Sequence, residues 1–266
     1  MSSVRGRLAA FLVVLLGVFG TAYAVGERAP GHSHGGAGHS HSHTASLVPP
    51  GFQSGDYQLV TDSVKGADGE PRVLTFHLQH VDGRRVTEFQ LNHTKLLHAI
   101  LVRPDLSGFQ HIHPDIAADG TWQVTLEEPG AWHLVFDTLP EQETMNVVVS
   151  ANSDDEVSVE PLPLPAADDD ITVGDLRIIR SGLDFTVVDK DGTSTDLEPY
   201  LGAAGHLVAI REGDLAYVHL HATADPTMAD MLMFGSKLPQ PGTYRLFVQF
   251  GHAGEVVTAE FTVVQP

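Results

Sequence analysis

The sequence predicts an all-β protein made of two tandem immunoglobulin-like or cupredoxin-like β-sandwiches that follow an N-terminal transmembrane or signal helix. Two observations carry the sandwich prediction. Residues 47–150 hold about six or seven short apolar runs separated by turn signals such as Asp82-Gly83, and no helical period is sustained there. The same order of runs and turns returns in residues 171–266, which indicates a duplicated domain.

Composition narrows the classes of function. The chain has 266 residues, of which 42% are hydrophobic, enough for two domains of ordinary size. The absence of cysteine excludes disulfides, thiolate zinc sites, iron–sulfur clusters, a blue-copper centre and a catalytic thiol. With 15 Lys and Arg against 34 Asp and Glu, the formal net charge of −19 would repel nucleic acid, so we expect no nucleic-acid partner.

Residues 1–26 are predicted to be an N-terminal membrane anchor or signal peptide. Arg5 and Arg7 precede eighteen uncharged residues, 8–25, which just suffice to span a bilayer with the short end in the cytoplasm. Cleavage after Ala24, in a small-x-small sequence, would instead release a secreted protein. We favour the uncleaved anchor, because the apolar run continues through the cleavage site. The protein is then held in the cell membrane with its bulk outside the cytoplasm.

Residues 27–50 are predicted to be a flexible tether, because a segment rich in Gly, Ser and His forms no core. Five imidazoles in such a tether can bind Cu²⁺, Ni²⁺ or Zn²⁺ loosely. The alternative is a merely polar linker between membrane and domain. The five histidines are His32, His34, His39, His41 and His43.

The two sandwiches are predicted to span residues 51–150 and 171–266. Residues 151–170 between them combine acidic clusters with alternating prolines. Because proline prevents ladder pairing and favours an extended chain, we interpret this segment as an acidic, Pro-rich linker.

A hairpin motif lies at the centre of each repeat. The first copy, residues 98–114, reads HAILVRPDLSGFQHIHP, and it aligns without a gap to residues 206–222, HLVAIREGDLAYVHLHA. In both copies a histidine opens an apolar run and a His-x-His pair ends the second strand. The six repeated histidines are His98, His111 and His113, then His206, His219 and His221.

The spacing of the histidines predicts a metal site in each hairpin. With a four-residue turn at 104–107, His98 faces His113 across the ladder, and His111 shares their face because side chains alternate along a strand. The three imidazoles are then within reach of one ion at about 2.0 Å from each nitrogen. A bulge of one residue would break this arrangement. The alternative is that these histidines are hydrogen-bonded core or surface residues.

Other histidines and methionines lack a counterpart in the other repeat. We interpret them as structural or surface residues, with His133 the first candidate to complete a coordination sphere. Thioethers bind Cu(I), but methionine is also an ordinary core residue, so we assign no methionine as a ligand. The residues concerned are His77, His80, His93, His133 and His252, and Met228, Met231 and Met233.

The stretches HAILVRPDLSGFQHIHPDIAADGTW and PYLGAAGHLVAIREGDLAYVHLHA resemble a family of uncharacterised bacterial secreted or membrane-anchored proteins with two β-sandwich repeats, sometimes labelled heavy-metal-binding. The resemblance implies an exported protein that handles metal through the six repeated histidines. Exported copper-carrier sandwiches are more loosely similar. Ala222 stands where the first copy has Pro114, which suggests that the two sites differ.

Together these patterns predict an extracytoplasmic protein that binds copper, or less favourably zinc, and buffers or delivers it at the cell envelope. No catalytic motif is present, so we expect no enzyme. One alternative is a metal-free interaction module that binds another envelope protein. A weaker alternative is a zinc-dependent hydrolase, because three histidines leave a position open for water.

Overall fold

A computed structural model describes residues 51–67, 70–153, 160–223, 228–235 and 237–266. These residues lie in one compact unit and form strands and turns, without a helix among them. The all-β prediction is therefore confirmed. The predicted anchor at 1–26 and the tether at 27–50 lie outside the described residues. Within the described part of the chain, no helix has the length and apolar character needed to cross a bilayer.

The first repeat forms two antiparallel sheets. Its strands are β1 (Gln53–Ser54), β2 (Tyr57–Lys65), β3 (Arg72–His80), β4 (Phe89–Gln90), β5 (Leu97–Val102), β6 (Gln110–Ile112), β7 (Thr121–Leu126), β8 (Trp132–Pro140) and β9 (Val147–Ser153). One sheet has the order β1-β2-β3-β7. The other is centred on β5 and β8, with β6 beside β5 and with β4 and β9 both beside β8.

The second repeat copies this topology. Its strands are β10 (Asp170–Val173), β11 (Leu176–Ser181), β12 (Asp184–Asp189), β13 (His206–Arg211), β14 (Tyr217–His221), β15 (Met231–Met233), β16 (Gly242–His252) and β17 (Glu255–Gln265). The sheets have the orders β10-β11-β12-β15 and β14-β13-β16-β17. Since β13 and β16 correspond to β5 and β8, the prediction of tandem sandwiches is confirmed.

Each sandwich has its own apolar core. In β3 the buried Leu74, Phe76 and Leu78 alternate along the strand, as a sheet with one core face requires. They pack against Trp122 of β7 and Phe136 of β8. The second core repeats this pattern around Phe185, Leu246 and Phe261.

A third core joins the two repeats. Ile100 of β5 and Val135 of β8 point away from the first sandwich and pack with Val208 of β13 and Phe247 of β16. The ring of Phe109 stacks on Phe247 at 4.0 Å between centroids, with an interplanar angle of 7°. The central sheets of the two repeats therefore pack against each other. This explains why every residue of β5 is buried, whereas a half-exposed strand would alternate.

The segment predicted as a linker takes part in the folded unit at both ends. Strand β9 continues through Ser153, and β10 begins at Asp170. Between them, the backbone N–H of Leu162 donates to the Asp105 carboxylate at 2.7 Å, and Leu164 packs against the third core.

The first central hairpin has a longer loop than the sequence predicts. Residues 103–109 connect β5 to β6, in place of a four-residue turn. The N–H of Arg103 donates to the Ser107 carbonyl at 2.9 Å, and Leu106 adopts a left-handed φ of 64°. Ile100 still pairs with His111, so the longer loop leaves the predicted register intact.

Candidate metal centre

The pairing of the hairpin strands places the repeated histidines on one face. In the first repeat Ile100 pairs with His111, and in the second His206 pairs with His221 and Val208 with His219. These registers are the predicted ones. The histidines share the face of Ile100 and Val208, which is the face that packs against the other repeat.

The first cluster consists of His98, His111 and His113. The Nδ1 atom of His98 lies 3.0 Å from Nε2 of His111, and Nε2 of His113 lies 3.2 Å from each of these atoms. Four nitrogens placed tetrahedrally around an ion at 2.0 Å would be about 3.3 Å apart. The three nitrogens therefore have the spacing of ligands to a single ion.

The second cluster consists of His206, His219 and His221. Nδ1 of His206 lies 3.2 Å from Nε2 of His219. One ring nitrogen from each of the three residues falls within 4.8 Å of the others. The opening histidine again offers Nδ1 and the first histidine of the pair offers Nε2, as in the first cluster.

Backbone carbonyls orient the opening histidine of each cluster. Nε2 of His98 lies 2.9 Å from the Asn92 carbonyl, and Nε2 of His206 lies 3.0 Å from the Tyr200 carbonyl. A carbonyl only accepts hydrogen bonds, so Nε2 carries the proton in both rings. Nδ1 of each neutral ring is then left with its lone pair directed at the cluster.

A side chain from the opposite repeat orients the first histidine of each His-x-His pair. Nδ1 of His111 lies 2.7 Å from Oε1 of Gln249, and Nδ1 of His219 lies 3.3 Å from Oδ2 of Asp137. The amide N–H₂ of Gln249 donates to Thr258, which leaves Oε1 as the acceptor for His111. Nδ1 of His111 is therefore the protonated nitrogen and Nε2 keeps a lone pair, and the same assignment follows for His219 when Asp137 is ionised.

These contacts leave the nitrogen lone pairs of neighbouring histidines facing each other. With the tautomers assigned from the hydrogen-bond network, Nδ1 of His98 and Nε2 of His111 are both acceptors at 3.0 Å. The same holds for His206 and His219 at 3.2 Å. Two acceptors make no hydrogen bond with each other, so such a pair needs a cation or an N–H donor, such as Nε2 of His113 at 3.2 Å from both nitrogens of the first pair.

Burial keeps five of the six cluster imidazoles neutral. Desolvation lowers the pKa of His111 to about 4, and it lowers the pKa values of His113 and His206 to about 3. It also lowers the pKa of His98 and, much further, that of His219. The rings are therefore in the form that binds metal at neutral pH.

Asp137 is a buried carboxylate beside the second cluster. Its side chain is 5% exposed, and burial raises its pKa to about 7, against the opposing effect of hydrogen bonds from Asn146 and Tyr217. Oδ1 accepts from the Asn146 amide at 2.7 Å. The carboxylate that orients His219 is thus held in a low-dielectric environment.

The sequences of the two repeats match one family model. Residues 53–154 and 171–265 each match the Domain of unknown function (DUF8832). The chain belongs to this family. A family with two sandwich repeats agrees with the expected resemblance, whereas the family description does not support the heavy-metal label.

Two further comparisons add little to the assignment. A solved structure of FdeC, an Escherichia coli adhesin, is 16% identical, with 82% of this chain and 65% of that chain covered and a TM-score of 0.24. The chain thus spans less than two thirds of that adhesin chain. No curated protein matches this sequence.

The clusters of the two DUF8832 domains adjoin. A nitrogen of His219 lies within 4.8 Å of nitrogens of His98 and His111 as well as of its own cluster. The ring centroids of His98 and His206 are 6.1 Å apart. His93 from the first domain stacks on His221 of the second at 3.4 Å. The sequence predicted one site in each domain, and the fold brings the two groups together at their interface.

Other histidines considered as ligands lie elsewhere. Nδ1 of His133 lies 2.9 Å from Oδ1 of Asn152, and burial lowers the pKa of His133. His133 pairs with Val102. Val102 lies four residues along β5 from His98, a distance of about 13 Å. His77 contacts Asp62 at 2.9 Å. Neither belongs to the clusters.

The remaining candidates are also placed apart or lie outside the described residues. His80 packs against Tyr57, and Nδ1 of His252 lies 3.4 Å from the Asp196 carbonyl. Met231 and Met233 lie in β15, whereas Met228 is an exposed residue before it. The tether residues that the structure does not describe are His32, His34, His39, His41 and His43.

The sequence reasoning missed Asp137 and Gln249. They occupy the same position in the two repeats, since Asp137 pairs with His98 and Gln249 pairs with His206. A polar residue within the apolar strands WHLVFDT and YRLFVQF was the available signal. The role of this polar residue can be recognised only when it is known that the strand faces the other repeat.

Proposed function

We propose that this chain binds metal ions through its two histidine clusters, copper in preference to zinc, and buffers or delivers them at the cell envelope. The observation that carries this proposal is the pair of facing lone pairs, between His98 and His111 and between His206 and His219. Two facing acceptors repel each other unless a cation or an N–H donor lies between them. A metal ion would turn the repulsion into two coordinate bonds.

The preference for copper follows from the ligand type. Imidazole nitrogens bind Cu²⁺ more strongly than Zn²⁺ at comparable sites. The tetrahedral spacing of His98, His111 and His113 suits Zn²⁺ and Cu(I) as well, so zinc is the competing ion. Since the chain has no cysteine, imidazole nitrogens are the metal ligands that the clusters offer.

A route for exchange supports a role in buffering or delivery. His98 and His206 are fully buried, whereas the residues of the two His-x-His pairs are partly exposed. An ion would therefore enter and leave on the side of the His-x-His pairs. The 8–25 segment would hold the 27–50 tether outside the cytoplasm. The histidines of this tether would capture ions and pass them to the His-x-His pairs.

Titration of the full chain tests the proposal. In a background where His32, His34, His39, His41 and His43 are each changed to Asn, Cu²⁺ and Zn²⁺ are titrated calorimetrically. We expect binding tighter than about 1 µM, with Cu²⁺ the tighter ion. Combining His98→Ala, His111→Ala and His113→Ala should remove about half of the bound metal. Binding left unchanged by that triple substitution would contradict the proposed site.

The metal-free interaction module remains the rival in this experiment. It predicts no tight binding of either ion, with both clusters acting as packed, hydrogen-bonded residues. A hydrolase is less favoured, because the Asp137 carboxylate beside the clusters already accepts hydrogen bonds from Asn146, Tyr217 and His219. Hydrolysis of a simple ester by the zinc-loaded chain would reverse that preference.

A further inference from the structure

The two clusters differ in the side chain that supports them from the opposite repeat. We propose that they form one two-metal centre in which the ion held by His206, His219 and His221 is bound more tightly than the ion held by His98, His111 and His113. This inference rests on the proposed metal binding and specifies how many ions bind, where, and in which order.

Distances between the rings support a single centre. Within the clusters, ring centroids are 4.6 to 5.4 Å apart. Between the clusters, His98 and His219 are 5.2 Å apart, and His111 and His219 are 5.5 Å apart. The His98–His219 separation between the clusters therefore falls within the range found inside one. Two bound ions would be neighbours in a buried environment, where their repulsion is poorly screened.

Crossed hydrogen bonds tie the two sites to each other. His111 of the first repeat is held by Gln249 of the second, and His219 of the second is held by Asp137 of the first. Each ion would thus have a ligand whose orientation depends on the other repeat. Neither site is complete when one repeat is removed.

The supporting side chains differ in charge. The acceptor for His219 is a carboxylate, whereas the acceptor for His111 is a neutral amide. A carboxylate hydrogen-bonded to a ligating imidazole raises the basicity of the ligand and offsets the charge of the ion. In this pair of adjacent sites, the ion beside Asp137 gains that compensation and the other ion lacks it.

The burial of Asp137 is consistent with this role. A carboxylate with 5% exposure is costly to hold away from water unless a positive charge or hydrogen bonds compensate. The imidazole nearest to it is that of His219, whose Nδ1 lies 3.3 Å from Oδ2 of Asp137 and whose side chain is 3% exposed. A bound cation on Nε2 of His219 would supply the missing positive charge one ring away.

Electron paramagnetic resonance during a Cu²⁺ titration tests the two-metal arrangement. The probe is Cu²⁺ itself, added to the full chain carrying the five tether substitutions. We expect the signal to grow up to one ion per chain and then to broaden or fall as the second ion binds beside the first. Two ions with full, independent signals would overturn the shared centre, and so would a stoichiometry of one.

Two substitutions at equivalent positions test the order of binding. Asp137→Asn should weaken the first binding step by about 10- to 100-fold, the range found when a group that supports a metal ligand is removed. Gln249→Glu should strengthen the second step and bring the two affinities together. His133→Gln, another buried polar change in β8, serves as the matched control and should leave both steps unchanged.

The outcomes separate this inference from the proposed function. Two equal steps that Asp137→Asn leaves unchanged would overturn the order of binding, although metal binding itself would stand. If Asp137→Asn fails to fold, Gln249→Glu still decides, because an unaltered second step contradicts the role of the supporting charge. Absence of binding in the unsubstituted clusters would overturn the proposed function as well.

Discussion

The two hairpins share the geometry of their histidines and differ in the side chains that surround them. In both, a turn carbonyl fixes the opening histidine, Asn92 for His98 and Tyr200 for His206. Because the two repeats share one backbone fold, this hydrogen bond to a turn carbonyl occurs in both. The side chains that reach in from the opposite repeat have diverged, as Asp137 and Gln249 illustrate. Backbone register therefore brings the histidines of each cluster together, and side chains of the other repeat determine the charge around them.

The turns that contain Asn92 and Tyr200 show the same combination of a shared backbone and different side chains. His93 and Thr94 occupy the positions of Leu201 and Gly202, and all four have left-handed φ values. The turn conformation is conserved between the two repeats while its residues differ. Only the first turn contributes an imidazole, which stacks on His221 of the other repeat.

The largest predicted effect contrasts equivalent residues of the third core. Phe247 and Val135 pair with Val208 and Ile100 in the two repeats, and both are buried. Phe247→Ala should lower the free energy of unfolding by about 4 kcal/mol, through lost burial and a cavity. Val135→Ala should cost about 2 kcal/mol, since fewer carbons are removed. Urea unfolding monitored by far-ultraviolet circular dichroism, which reports on the strands of both repeats, measures both.

The form of the transition is also informative. Because both residues belong to a core shared by the repeats, each substitution should shift one common transition. Val149→Ala, within the first sandwich, provides a comparison inside a single repeat. Two separate transitions, with Phe247→Ala affecting only one, would show that the repeats unfold independently.

The next prediction concerns pH in the presence of a chelator. The pKa of His111 is lowered to about 4 and that of His206 to about 3, against about 6.5 in the unfolded chain. Below pH 6.5 the unfolded state therefore binds protons that the folded state does not, and stability falls with pH. Each histidine should cost about 2 kcal/mol at pH 5 relative to pH 8. Urea midpoints across this range provide the measurement.

Matched variants isolate these contributions. His111→Gln and His206→Gln should each remove a similar share of the pH dependence, because both rings are desolvated to a similar degree. Asp137 acts in the opposite sense: its raised pKa means that stability is lost as pH rises toward 7. Asp137→Asn should therefore steepen the loss of stability on acidification. Unequal effects of the two histidine changes would mean that the clusters differ in burial as well as in charge.

The smallest predicted effect compares the two turns. Thr94 has a φ of 70°, which is unfavourable for a β-branched residue, whereas the equivalent Gly202 tolerates its φ of 79°. Thr94→Gly should stabilise the protein by about 1 kcal/mol, and Gly202→Ala should destabilise it by a similar amount. A Cβ atom at position 202 would lie 3.2 Å from Cγ2 of Thr94. The cost of Gly202→Ala should therefore fall in the Thr94→Gly background, and strictly additive unfolding energies would refute contact between the turns.

Much of the fold and part of the site follow from the sequence. Alternating and apolar runs predict the strands, and the ungapped repeat of HAILVR and HLVAIR predicts the hairpin register in both halves. Register determines which side chains share a face, so the convergence of His98, His111 and His113 could be anticipated. The loop at 103–109 differs from the predicted turn, because left-handed Leu106 and Gly108 lengthen it without shifting the ladder.

The contact between the repeats could not be predicted in the same way. Strand periodicity tells which residues lie on a face but not which other surface covers that face. The continuous burial of β5 was hinted at by its unbroken apolar run, yet its partner, β13 of the other repeat, is far away in sequence. Asp137 and Gln249 acquire their roles only through that packing.

The reciprocal contacts have a consequence for the origin of the molecule. His111 meets Gln249 while His219 meets the equivalent Asp137, the exchange expected of two copies related by a two-fold axis. A single-repeat ancestor could have built such a centre by dimerising with itself, but both halves would then carry the same residue. Joining the copies in one polypeptide freed these two positions to diverge, so an assembly that began symmetric could acquire two histidine clusters with unlike surroundings.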